Sequence, residues 1–277
     1  MLDVGYNTKT MGARTARLIA ELNEQRRTVF TVDDASRLMG VTTQRARDLL
    51  SKAEKRGLVT RLKPGLFNLV PFERGHDTFH VDNPYLIARA LVGEATYFIS
   101  HGSALELHAL TTQPQLAISV SVTRRLHPQF IQGYEFRFIK IDAADVFGLS
   151  DFWVTPDQAI KISDPERSII DGLHQPQHAG GVSEVAKALW IGKGKLKIER
   201  LIEYALRLDV GAVIRRLGYL LDLYQMADRQ RLEALRIKLT PTYQRLEPLL
   251  PNEGAMLARW RIRLNIDPDE LLALRHT

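Results

Sequence analysis

The sequence predicts an α+β protein: an N-terminal winged helix-turn-helix over residues 1–75, then a larger mixed α+β domain over residues 76–277 with helices in its C-terminal half. Three observations carry this expectation. Capping and turn residues in the first quarter spell out helix, helix, helix, hairpin. The net charge of +6 lies entirely in that quarter, where 14 Lys/Arg face 8 Asp/Glu, while residues 76–277 hold 24 of each. Beyond it, strand-like alternation comes first and helical periodicity after, the order expected of an α+β chain.

Composition narrows the class. Apolar residues make up 45% and charged residues 25% of the chain, close to the globular average, which excludes wholesale disorder. The absence of cysteine excludes disulfides, thiolate metal sites and cysteine nucleophiles, and fits a reducing compartment. The opening MLDVGYNTKTMGARTAR lacks the apolar core of a signal peptide, and no apolar run reaches the roughly 18 residues of a membrane span. A cytoplasmic protein without a membrane partner is expected.

Met11 to Arg27 reads as the first helix, with Leu18, Ile19 and Leu22 on one face. Val29-Phe30 follows, then Thr31-Val-Asp-Asp34, a start signal close to a capping box. Ala35, Leu38 and Met39 supply the apolar face of a second helix, and Gly40 ends it in the left-handed conformation. Thr42 or Thr43 caps a third helix over 43–56, stopped by Gly57. In it Ala46, Leu49, Leu50 and Ala53 recur at i, i+3, i+4 and i+7 and face a core. The opposite face centres on Gln44, Asp48, Ser51 and Lys55, flanked by Arg47 on one side and by Arg45, Lys52 and Arg56 on the other. Residues 58–60 and 66–70 read as strands joined at Pro64-Gly65. Two helices joined by a short Gly-containing turn, then a hairpin, make a winged helix-turn-helix with recognition helix 43–56 and a wing centred on 61–65.

Residues 41–63 hold seven basic side chains (Arg45, Arg47, Lys52, Lys55, Arg56, Arg61 and Lys63) against Asp48 and Glu54. Cations concentrated there suit double-stranded DNA, whose phosphates they neutralise with release of counterions. Thr42, Thr43, Gln44 and Arg47 lie near the helix N-terminus, the end that reaches base edges in the major groove. Gln suits adenine and Arg suits guanine. Arg45, Ser51, Lys52 and Lys55 complete the exposed face, and Arg61 and Lys63 would meet backbone or minor groove. The plainer reading of the same residues is a protein-interaction module with a solvated charged face. Asp48, in the middle of that face, would repel phosphate. It either holds Arg45 or Lys52 in place or accepts from a cytosine amine, and spacing leaves these open.

Residues 71–84, with Pro71, Gly75 and Pro84, read as a connector. Strands are expected at 95–99, 115–123, 133–141, 152–154 and 159–162, with a helix after Ser100-His101-Gly102-Ser103. Ser163-Asp-Pro165-Glu166 starts a helix, with Ser163 as its cap and Pro165 in the first turn. Residues 182–238 are helical in about four segments, and 259–265 reads as a last strand.

No catalytic constellation emerges. Gly192-Lys-Gly-Lys195 lacks the frame of a phosphate loop and reads as a helix–helix connection. His174 and His178 are spaced i, i+4, but Pro176 opposes the helix that would align them on a metal. His101 and His108 read as a helix cap and a packed histidine. Gly102-Ser103 is not followed by the Asp-x-Asp pair of a nucleotidyltransferase, and Asp267-Pro-Asp269 reads as a turn. Asp164, Glu166, Arg167 and Asp171 form a polar cluster that local capping and i,i+4 pairing explain. The expectation is a non-enzyme that needs no metal and no cofactor.

Four body segments resemble the AbiEi family of antitoxins: Tyr97-Phe-Ile-Ser-His101-Gly-Ser-Ala-Leu-Glu-Leu-His108-Ala-Leu110; Ile162-Ser-Asp-Pro-Glu-Arg-Ser-Ile-Ile-Asp171-Gly, followed by Gly180-Gly181; Arg216-Leu-Gly-Tyr-Leu-Leu221; and Arg259-Trp-Arg-Ile with Asn265. With the winged helix the resemblance spans nearly the whole chain. Ala109 stands where the resemblance leads one to expect glycine. The resemblance implies the antitoxin of a type IV toxin–antitoxin pair. Its winged helix would bind inverted repeats at its own promoter and repress it, and its C-terminal domain would counter a co-encoded nucleotidyltransferase toxin without necessarily binding it stably. It carries over no catalytic residue. Two alternatives from other classes are a ligand-sensing winged-helix regulator with a small-molecule site in its C-terminal domain, and a DNA-tethered enzyme built on the Asp164–Asp171 cluster.

Overall fold

A computed structural model describes residues 10–276. By its contacts the chain divides into two compact units. One holds the N-terminal residues up to Ala95 together with Pro128–Phe136 and Trp153–Ile160; the other holds Thr96–His127, Arg137–Phe152 and the chain from Lys161 onward. Along the sequence these units interleave, whereas composition suggests a single cut after Gly75. The two returning stretches hold strand segments and the turns between them.

In the first unit, α1 (Ala13–Glu24) turns Leu18, Ile19 and Leu22 to a core. β1 (Val29–Thr31) leads into α2 (Val32–Met39) through the expected capping box. The Asp34 N–H donates to Thr31 Oγ1 at 3.1 Å, and the Thr31 N–H donates to Asp34 Oδ2 at 2.8 Å. Gly40 closes the helix at φ 62°, the left-handed region that glycine enters without a steric cost. α3 (Thr43–Lys55) is capped by Thr42, which accepts from the Arg45 N–H, and Arg56 follows it as the C-cap. β2 (Val59–Lys63) and β3 (Leu66–Leu69) form the wing around Pro64-Gly65, and β3 also pairs with β1, giving the order β1-β3-β2. Leu22, Phe30, Ala46 and Leu50 are fully buried at the centre, and the Phe30 and Phe67 rings stack at 6.2 Å. The connector ends in a helix that composition did not suggest, α4 (Pro84–Val92). Asn83 caps it, and Pro84 sits in the first turn, where its missing N–H costs nothing.

β4 (Tyr97–Ile99), α5 (His101–Leu107), β5 (Ala117–Val122), β6 (Gln129–Ile131), β7 (Tyr134–Lys140), β8 (Leu149–Thr155) and β9 (Gln158–Ser163) follow. Their strands form a six-stranded sheet in the order β6-β7-β5-β4-β9-β8. β4 runs antiparallel to β5 and parallel to β9, with Ile99 opposite Ile162. Four helices then fill the span expected to be helical beyond α6 (Pro165–His174): α7 (Val182–Ile191), α8 (Ile198–Leu208), α9 (Gly211–Leu223) and α10 (Arg229–Arg236). α6 packs against α5, α7, α8 and α9 and is the hub of the second core. β10 (Gln244–Arg245), β11 (Ala255–Leu257) and β12 (Ile262–Leu264) make a small sheet in the order β10-β12-β11, and α11 (Pro268–Ala273) closes the body.

Three local expectations need correction. The cap of α6 is Asp164, whose Oδ1 accepts from the Arg167 N–H at 2.7 Å; Ser163 ends β9, and its hydroxyl is committed to Ser168 at 2.8 Å. Asp267-Pro268-Asp269 is a helix start, with Asp267 capping α11. The last strand is confined to 262–264 because Trp260, fully buried, is drawn into the core.

Candidate nucleic-acid interface

The α3 surface follows from its apolar period. Ala46, Leu50 and Ala53 are buried, and the side chains of Gln44, Arg45, Arg47, Ser51, Lys52 and Lys55 are thereby turned to solvent. Thr42 is exposed at the cap and Thr43, the first helical residue, is half-buried. Among the described residues none of Arg45, Arg47, Lys52, Lys55 or Arg61 is tied up in an ion pair, so their charges face outward uncompensated.

The structure distributes these candidates over two flanks of α3. A cleft of about 700 Å³ runs between α3 and the wing, lined by Arg47 and Ser51 from the helix and by Arg61, Lys63 and Pro64 from the wing, with Thr31 and Asp33 at one side. On the other flank, a cleft of about 440 Å³ is lined by Arg45, Leu49 and Lys52 with Arg14 of α1, a cation that sequence reasoning missed. Lys55 lines neither of them, and Asp48 lines both.

Two site residues behave differently from expectation. Asp48 holds neither Arg45 nor Lys52: its Oδ1 accepts from Gln44 Nε2 at 3.1 Å, across one helical turn. Lys63 is half-buried, its Nζ donates to Gln129 Oε1 at 2.9 Å, and burial lowers its pKa from the ordinary lysine value. Gln132 Nε2 reaches the Leu62 carbonyl at 3.5 Å, so the β6–β7 hairpin backs the outer strand of the wing. The wing cation left fully to solvent is Arg61. Nothing near Lys63 in sequence signals this, because Gln129 lies 66 residues away.

The polar residues of the body do a different job. Arg167 is buried: its Nε donates to Asp171 Oδ1 at 2.7 Å, its Nη1 donates to the Asp145 carbonyl at 2.9 Å, and its guanidinium lies 4.1 Å from the Phe147 ring centre. Burial raises the Asp171 carboxyl to about 6 in spite of that ion pair. The Tyr204 hydroxyl donates to Asp164 Oδ2 at 2.8 Å, and burial with this bond pushes the phenol up to about 12. His101 is buried with its Nδ1 2.8 Å from Ser100 Oγ and its ring edge-to-face with His178 at 5.5 Å. Burial, then neighbouring positive charge, holds His101, His174 and His178 below the ordinary histidine value. Pro176 does end α6 at His174, and among the described residues no three His, Asp or Glu side chains are placed to hold a metal ion.

The remaining body motifs are packing devices. Gly218 makes room for Trp260, whose indole N–H donates to Asp222 Oδ2 at 2.8 Å; a Cβ at Gly218 would fall inside the Trp260 ring. Arg216 donates to the carbonyls of Leu173 (2.7 Å) and Leu246 (2.9 Å), fastening the C-terminal segment to α9. Glu247 accepts from the Val182 N–H at 2.6 Å at the start of α7, in space that a side chain at Gly181 would fill.

Three helices, a two-stranded wing, and cations on the outward face of the third helix define the winged helix-turn-helix class. Residues 17–70 match the family model described as transcriptional regulator, AbiEi antitoxin, the same family that the sequence resembles. No curated protein matches the chain. Among solved structures, the RV2827C protein from Mycobacterium tuberculosis is similar in fold, with a TM-score of 0.67 at 17% identity, covering 100% of this chain and 99% of that one. Among the described residues no helix is long and apolar enough to cross a membrane.

Proposed function

We propose that this protein is a DNA-binding transcriptional autorepressor and an antitoxin that counters a co-encoded nucleotidyltransferase. The observation that carries the DNA half is the coincidence of an unpaired cation set with the geometry of the motif: Arg47 on α3 and Arg61 on the wing flank one cleft, and Arg45 and Lys52 extend the charge to the other flank. A phosphate backbone on either side of α3 would meet these cations, while the N-terminal turn of the helix, with Thr43, Gln44 and Arg47, enters the major groove. The family match over residues 17–70 supports regulator and antitoxin alike.

The protein acts without a cofactor and as two protomers on an inverted repeat, in the cytoplasm. Thr42, whose hydroxyl is spent on the Arg45 N–H, serves the site through its helix cap. Gel-shift titration on the upstream region of its own operon tests the reading. Preference for inverted repeats over random duplex is expected, and equal binding to both would contradict specific repression. Co-expression with the neighbouring toxin gene, scored for restored growth, tests the antitoxin half.

A further inference from the structure

We infer that Asp48 is a specificity-determining residue of the DNA-reading surface: it fixes the Gln44 side-chain amide in the orientation that reads adenine, and it penalises binding to any other duplex. This rests on the DNA-binding reading above.

The geometry begins with what a carboxylate can do. Ionised Asp48 only accepts hydrogen bonds, so the Gln44 atom 3.1 Å from its Oδ1 must be the amide nitrogen, and the Gln44 oxygen is turned the other way. One Nε2 hydrogen is used on Asp48. The second, and the whole of Oε1, remain for a partner. One donor beside one acceptor on a planar amide is the complement of adenine, which offers N7 as acceptor and N6–H as donor in the major groove. Held by Asp48, the amide loses the freedom to turn over and present the reversed pattern, and ordering it before binding removes a cost otherwise met in the complex.

The second part follows from charge. Asp48 lies on the outward face of α3 between two cation-lined clefts and among the described residues forms no ion pair with Arg45 or Lys52, although both lie within helical reach. An uncompensated carboxylate there repels every phosphate backbone alike. In a cognate complex the ordered Gln44 contact offsets that repulsion; in a non-cognate complex nothing does. A charge that weakens binding in general and supports one base contact raises the ratio of specific to non-specific affinity.

The test uses the full chain and a pool of random-sequence duplexes, selected for binding and sequenced, then titrations on the enriched site and its single-base variants. Wild-type protein is expected to prefer adenine at one position by roughly tenfold to a hundredfold. Gln44→Ala should abolish that preference. Asp48→Ala should lose most of it while random-duplex affinity rises about two- to fivefold at low salt, the size of one exposed charge interaction. Asp48→Asn, which keeps an acceptor and drops the charge, should retain the adenine preference and still bind random duplex more tightly. Both positions changed are on the solvent face of α3, so folding is not at stake. If Asp48→Ala keeps the full adenine preference, or if Gln44→Ala changes no position of the site, the inference is wrong while DNA recognition stands. If wild-type protein enriches no sequence, the DNA reading itself fails and the inference with it.

Discussion

Arginine is used in opposite ways in the two halves of this chain. Arg45, Arg47 and Arg61 stand in solvent without a counter-ion among the described residues, whereas Arg167, Arg215 and Arg216 are buried and hydrogen-bonded to carbonyls or a carboxylate. An exposed cation adds almost nothing to stability but is free to meet a polyanion. A buried one can meet nothing and is retained because its partners would otherwise be stranded. Residue type alone therefore says little about function; exposure and pairing divide the arginines into those left free to meet a partner and those that hold the fold.

The contrast can be broken from either side. Arg167→Ala leaves the buried Asp171 without its cation and should cost about 3–5 kcal/mol in denaturant unfolding. Arg47→Ala should stay within about 0.5 kcal/mol of wild type while losing base discrimination. Equal stability losses in the two would erase the distinction. Next in size, Gly218→Ala forces the buried Trp260 ring aside and should cost about 3 kcal/mol, with a change in tryptophan emission.

The pH dependence of stability belongs to the body. His101, His174 and His178 are depressed by burial, so the folded state keeps them neutral while the unfolded chain takes up protons below about 6.5. Stability is present above that pH and lost as pH falls through 6.5 toward the folded-state values. Asp171, raised to about 6, works the other way: its stabilising contribution is present at low pH and lost as pH rises through 6, so it offsets part of the histidine loss. The unfolding midpoint should drop between pH 7.5 and 5.5, and His101→Asn, which tolerates the φ of 52° there, should narrow the drop. A midpoint insensitive to pH in wild type would contradict the burial of these rings. Smallest is Ala109→Gly: Ala109 sits at φ 54°, so glycine should stabilise by about 1 kcal/mol.

Legibility in the sequence tracked distance along the chain. The Thr31–Asp34 capping box, the Gly40 stop and the Pro64-Gly65 turn are interactions between neighbours, and each forms as the residues imply. The Ala109 position is equally local: the expected glycine marks the left-handed turn that alanine occupies. The α6 cap was displaced by one residue because Ser163 is claimed by β9, a competition decided across the sheet. What was missed depends on remote partners. The Lys63–Gln129 bond and the grouping of 128–136 and 153–160 with the first unit both require contacts that no local pattern encodes. Within the candidate site, the helix face was readable from its 3.6-residue period, while the partner of Asp48 was not, since Gln44, Arg45 and Lys52 were all within helical reach.

The central claim is that the uncompensated cations of α3 and the wing grip duplex DNA. The salt dependence of binding measures that directly. The logarithm of affinity should fall linearly with the logarithm of salt concentration, and Arg61→Ala should flatten the slope by about one unit, with a smaller change for Lys63→Ala because Gln129 already holds it. An affinity indifferent to salt, or a slope unchanged by Arg61→Ala, would contradict the account.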